Sequence, residues 1–199
     1  MIKNPIQLRL EKLSQWQLKT FMACLCERMY PNYAFFCEQT QFVSPNRFRV
    51  ILDLVWESLL VKKAKINFES QLDKFELVIP EIEQFDCYSV FPAVDACEAL
   101  GELLHAYLSD NVVEYAVKMS NISLNTVATY EMTQLGQALS EDELKTLPAI
   151  LDELDIQWEI YRLLKNEDEL NIELIKGLKE DLREEAVSNI GVFLSKQVG

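Results

Sequence analysis

Apolar residues recur every three to four positions through almost the whole of this 199-residue chain, and only five glycines interrupt them. An apolar stripe at that period belongs to a helix, and every such stripe needs another helix to cover it. The same feature narrows the chemistry. Five glycines leave no glycine-rich loop to cradle a phosphate, and no Walker loop, dinucleotide fingerprint or Gly-x-Ser-x-Gly elbow is present. A single histidine, His105, excludes most multi-histidine metal and catalytic sites.

Helix punctuation follows the periodicity. Ser14 and Gln17 have capping-box spacing, and Leu18, Phe21, Met22, Leu25 and Met29 follow on one face until Pro31, which is expected to stop or restart the helix. Ser44-Pro45 predicts a second start, with Phe48, Ile51, Leu52, Val55 and Leu59 as its apolar face. Asn67 is placed to cap a segment carrying Phe68, Leu72, Phe75 and Ile79 that ends at Pro80, and Ser89 one running from Val90 to Leu108. A long segment after Asp110 carries Val113, Val117, Leu124 and Val127. Ser140 and Glu143 form a second capping box. Beyond it, Ile150, Leu154, Trp158 and Tyr161 make one stripe, and Leu170, Leu174, Leu178 and Leu182 another.

Ala64, Ile66 and Phe68 alternate with polar residues, but no second run offers a partner strand. The longest loop is expected from Glu81 to Tyr88, packed down by Phe85 and Tyr88. The expectation is therefore an all-α fold: one domain over residues 1–199, a bundle of antiparallel helices with short connections.

The net charge is −13. Such a surface repels phosphate backbones, so nucleic acid and anionic membranes are not expected partners, whereas a basic protein or a cation is. The N-terminus lacks a secretory apolar region, and no uncharged stretch reaches the ~20 residues of a membrane span. A cytoplasmic location is expected, with the five cysteines Cys24, Cys26, Cys37, Cys87 and Cys97 reduced and buried.

Five strings carry a resemblance: the runs Phe21–Tyr33, Ile51–Glu57, Asp155–Ile160, Glu173–Arg183 and Ser188–Gly191 are similar to the bacterial YjaG family. The similarity extends over nearly the whole chain. It implies a small, soluble, helical, cytoplasmic bacterial protein. The family carries no assigned catalytic residue, so no site transfers.

Asp95, Glu98, Glu102 and His105 fall within roughly 80° of arc on one helix. Glu102 and His105 have the Glu-x-x-His spacing with which helical bundles hold paired metal ions. The di-metal arrangement needs two such motifs, and this chain has one histidine. Early acids and a late histidine are also what a helix dipole favours.

Cys24 and Cys26 lie ~200° apart on a helix and are no chelating pair, and Cys97 is ~12 Å along the axis from His105. Asp53, Glu57, Glu131, Asp155 and Glu159 interrupt apolar runs and would need partners if buried, with Arg49 in reach of Asp53 and Arg162 of Glu159. The dense run Tyr30-Pro-Asn-Tyr33-Ala-Phe35-Phe36 reads as core or interface, its tyrosine hydroxyls available to rim a pocket or subunit contact.

The functional expectation is a protein-interaction or oligomerising module without catalytic activity or cofactor, acting as a homo-oligomer or on another protein. The alternative is a carboxylate-rich metal-binding or hydrolytic protein centred on Glu102 and His105, with Asp95 and Glu98 as further ligands. A helical pocket for an apolar small molecule is a third class.

Overall fold

The structure is a computed structural model that describes residues 6–194. Its helices are α1 (Gln7–Leu10), α2 (Gln15–Thr40), α3 (Asn46–Leu60), α4 (Phe68–Glu76), α5 (Val90–Leu108), α6 (Val112–Leu135), α7 (Glu141–Leu144), α8 (Pro148–Lys165) and α9 (Ile172–Glu185), with a 3-10 turn at Ile82–Gln84. Helices take up 72% of the described residues. The all-α expectation holds, and the Ala64–Phe68 alternation forms no strand. No helix is long and apolar enough to cross a membrane among the described residues.

α2 organises the rest. Every residue from Thr20 to Ala34 is buried, and α3, α5, α6, α8 and α9 all pack against it. A helix covered on all sides has no polar face. That is why Cys24 and Cys26, on opposite sides of it, are both fully buried. Cys37 and Cys97 are buried as well, Cys87 is half-buried, and all five thiols are free. Desolvation raises the thiol pKa of Cys24, Cys26 and Cys97, and lifts that of Cys37 to about 11.

Pro31 neither stops nor restarts this helix. It sits buried inside α2. It removes the bond that would end on the Glu27 carbonyl, a defect costing about 3 kcal/mol in an isolated helix. Packing on every side outweighs that penalty.

The caps behave largely as expected. Gln17 Oε1 accepts from the Ser14 backbone N–H at 2.7 Å and hydroxyl at 2.9 Å, while its amide donates to the Leu164 and Glu167 carbonyls at the end of α8. The Asn67 side chain accepts from Ser70 N, and Ser140 with Glu143 closes the second capping box. Ser89 makes no cap hydrogen bond; its hydroxyl turns to Gln39 instead.

On α8 the buried face is rotated from the predicted stripe. Leu154 and Trp158 are only half-buried, whereas Glu153 and Gln157 are 1% and 0% exposed. α6 likewise buries Ser120, Ser123 and Thr126. Ser120, Ser123, Glu153 and Gln157 share one interior seam, whereas Thr126 turns to α5.

After α9 the chain doubles back. Ser188 N–H donates to the Val192 carbonyl at 2.9 Å and Leu194 N–H to the Ala186 carbonyl at 3.2 Å. Gly191 turns the corner at φ 79°, a conformation that favours glycine. The Ser188 hydroxyl accepts from the amides of Ile190 and Val192, fixing this Ser188–Val192 loop.

Candidate functional site

The four residues of the α5 stripe do not converge, and three of them have separate neighbours. Asp95 Oδ2 accepts from Thr126 Oγ1 at 2.7 Å, and burial raises its pKa. Glu98 is exposed. Glu102 Oε2 is buried and accepts no hydrogen bond, with the Lys118 ammonium 3.7 Å away as the charge facing it. His105 is exposed and lies nearly parallel to Tyr115, ring centroids 6.2 Å apart. Among the described residues no group of three or more His, Cys, Asp or Glu side chains is placed to hold a metal ion.

The buried charges are elsewhere. Glu27, on α2, accepts from Arg49 Nη1 at 2.6 Å, Trp56 Nε1 at 2.9 Å, and Arg183 Nε and Nη2 at 3.2 and 3.3 Å. Arg183 also bonds Asp53, so one carboxylate ties α2 to α3 and α9. The expected Arg49–Asp53 pair is replaced: Arg49 lies over the Tyr30 ring at 3.8 Å and points to Glu27, the more deeply buried acid. Glu57, Asp155, Glu159 and Arg162 are exposed and Glu131 is half-buried, so interrupting an apolar run did not mean burial.

The next residue along the helix enters a different network. Arg28 Nη2 donates to Glu153 Oε2 at 2.9 Å. Glu153 Oε1 accepts from Ser123 Oγ at 2.7 Å and Gln157 Nε2 at 2.9 Å, and the Ser120 hydroxyl bonds Gln157. The Asn189 amide donates to the Ser123 carbonyl and hydroxyl at 3.2 and 3.1 Å, and Asn32 Nδ2 donates to Asn189 Oδ1 at 3.0 Å. Two atoms of this seam are buried without a partner, Arg28 Nε and Asn32 Oδ1.

The residues that carry them line surface hollows. Asn32, Phe35 and Gln39 of α2, Tyr88, Ser89 and Pro92 at the start of α5, Tyr130 of α6, and Ile190 and Val192 of the C-terminal loop enclose about 340 Å³. Tyr88 sits 5.8 Å from Phe91 and 6.1 Å from Tyr130 between ring centroids, and its burial raises the phenol pKa. A smaller hollow of about 220 Å³ shares Tyr130 and Ile190 and is lined also by Arg28, Glu153 and Asn189.

The aromatic run on α2 contributes less than expected. Tyr33 is buried and donates to the Val78 carbonyl at 2.8 Å, and Tyr30 lies under Arg49, so neither hydroxyl rims the hollow; Phe35 and Asn32 do line it. Phe85 packs edge-on against Phe36 and Phe42, as the expected packed-down loop requires. Asn32, Arg28, Glu153 and Asn189 were not singled out in the sequence. The available signal was polar side chains within otherwise apolar helical faces, which places a residue at an interior position without naming its partner.

Comparisons with known proteins place the chain. Residues 5–193 match the family model described as "Protein of unknown function (DUF416)". The chain is 58% identical over 192 residues to uncharacterized protein YjaG of Salmonella typhimurium, covering 96% of this chain and 98% of that one. It is 58% identical over 196 residues to YjaG of Escherichia coli K12, covering 98% and 100%, and 48% identical over 192 residues to an uncharacterized protein of Haemophilus influenzae, covering 96% and 98%. The crystal structure of a DUF416 family protein from Shewanella baltica OS155, at 1.91 Å resolution, superimposes with a TM-score of 0.90 at 33% identity, covering 96% of this chain and all of that one. The chain therefore belongs to the DUF416 family, that of bacterial YjaG.

Proposed function

We propose that this protein works by binding another protein, without catalysis, and that the hollow between α2, α5, α6 and the C-terminal loop is the contact. The supporting observation is the lining: aromatic and aliphatic walls from four segments far apart in sequence, with amides, two phenols and one aliphatic hydroxyl but no carboxylate, imidazole, amine or thiol. Ser89 is the one aliphatic hydroxyl there, and it is bonded to Gln39 rather than to a base. An apolar concavity carrying a few placed polar groups suits recognition of a side chain. Phe35 and Phe91, 42% and 44% exposed, extend the apolar surface around it.

Site-specific photocrosslinking tests the proposal. A photoreactive phenylalanine analogue at Phe35 is expected to trap a discrete adduct with one other protein in cells. The same analogue at Leu170 is expected not to. Leu170 follows the end of α8 that Gln17 holds, and Gln17 itself lies ~27 Å along α2 from Phe35. Adducts identical at both positions, or none at Phe35, would refute the contact. Adducts of the chain with itself at Phe35 would convert it into a self-association surface.

A further inference from the structure

Resting on that reading of the hollow, we infer that its occupant is an aromatic side chain bearing a hydrogen-bond donor, a tryptophan or tyrosine carried on a basic segment of the partner.

The argument begins at the Ser123 carbonyl, which can only accept. Asn189 must therefore turn its amide nitrogen toward Ser123, which leaves its oxygen facing Asn32. Asn32 must in turn present its nitrogen to that oxygen. The relay fixes the amide orientation of both asparagines and leaves Asn32 Oδ1 as an acceptor with nothing to accept. Asn32 is 1% exposed and forms part of the wall of the hollow. A buried acceptor without a donor is costly, so an occupant that supplies an N–H or O–H gains more than one that does not.

Shape and charge complete the assignment. Tyr88, Tyr130 and Phe35 offer ring faces and edges, and about 340 Å³ accommodates one indole or phenol with its linking carbon. No lysine or arginine lines the hollow, Glu38 is exposed beside Gln39, and the chain carries a net charge of −13. An acidic occupant, including a second copy of this chain, is repelled, whereas lysines flanking the aromatic anchor are attracted.

The test uses the full chain and two capped probe peptides, Lys-Lys-Trp-Lys-Lys and Lys-Lys-Phe-Lys-Lys, titrated while backbone amide NMR shifts are followed. Both are expected to shift amides around Asn32, Phe35, Ser89, Tyr130 and Ile190, with the tryptophan peptide binding about fivefold more tightly. Phe35→Ala weakens both, and Asn32→Leu abolishes the preference. If Asn32→Leu does not fold, the ratio in the unaltered protein still decides. Equal affinity for the two peptides would overturn the donor inference while leaving the hollow as a contact. A Glu-Glu-Trp-Glu-Glu peptide binding as well as its lysine counterpart would overturn the basic segment. Shifts absent or confined to other surfaces with every peptide would overturn both the inference and the reading beneath it.

Discussion

Glu27 and Arg28 are neighbours on α2, both buried and both ionic, and they differ in how fully each is answered. Glu27 receives four hydrogen bonds from three side chains on α3 and α9, so both of its oxygens are engaged. Arg28 makes one ion pair, to Glu153, and keeps Nε without a partner beside the smaller hollow. The first network is closed. It holds the C-terminal helix onto the central one and has no valence left for a ligand. The second is open at two points, Arg28 Nε and Asn32 Oδ1, and both residues line surface concavities. In this pair the completely matched group belongs to the scaffold, whereas the partly matched network adjoins the hollow proposed as the contact.

The comparison breaks most readily at Glu27. Glu27→Gln keeps the shape and removes the charge that faces Arg49 and Arg183 together. Loss of one partner from a buried ionic cluster is expected to cost about 3–5 kcal/mol. Urea unfolding followed by circular dichroism reads it directly. A loss below about 1 kcal/mol would show that the cluster is solvated and that α9 is held by the burial of its own Ile175 and Leu178.

The counterpart is Glu153→Gln, expected to cost less, about 2–3 kcal/mol. Ser123 and Gln157 keep an oxygen to bond in the variant, and Arg28 lines the adjoining hollow, toward which its guanidinium can turn. Measured under the same conditions, the pair sharpens the distinction. If Glu153→Gln proved the more damaging, the open seam would be the structural one.

Much of the fold was legible because caps and apolar periodicity are local. The starts at Ser14, Asn67 and Ser140 depend on residues three positions apart, and the structure places helices at each. Pro31 was misread because its local penalty is overridden by packing that only the assembled bundle supplies. The buried face of α8 was misread for a related reason. Glu153 and Gln157 look like an exposed edge until Arg28, 125 residues away from Glu153, arrives to pair with it.

The hollow is harder still. Its walls come from residues near 35, 90, 130 and 190, and no period within one segment reports that they meet. The run ending at Phe36 announced aromatic density, but which ring faces outward was set by Val78 and Arg49 drawing Tyr33 and Tyr30 inward.

The smallest expected effect lies on α5, a third case beside the closed and open networks: carboxylates along one helix stripe, each with a separate neighbour or none, and an exposed imidazole at its end. His105 rests against Tyr115, whose ring also has the Lys118 ammonium 5.5 Å from its centroid, and Lys118 in turn faces Glu102. Removing an exposed imidazole from such a face is expected to change stability by no more than about 0.5 kcal/mol. If instead Glu102 and His105 share a metal ion, binding would stabilise the folded chain, and a chelator would remove that stabilisation from the unaltered protein alone. Thermal melts of the protein and of His105→Ala, each with and without chelator, separate the two. Four superimposable curves are expected, because Lys118 already supplies the positive charge that Glu102 would otherwise seek from a cation. A chelator-sensitive drop confined to the unaltered protein would establish the metal reading and move the functional centre from the hollow to α5.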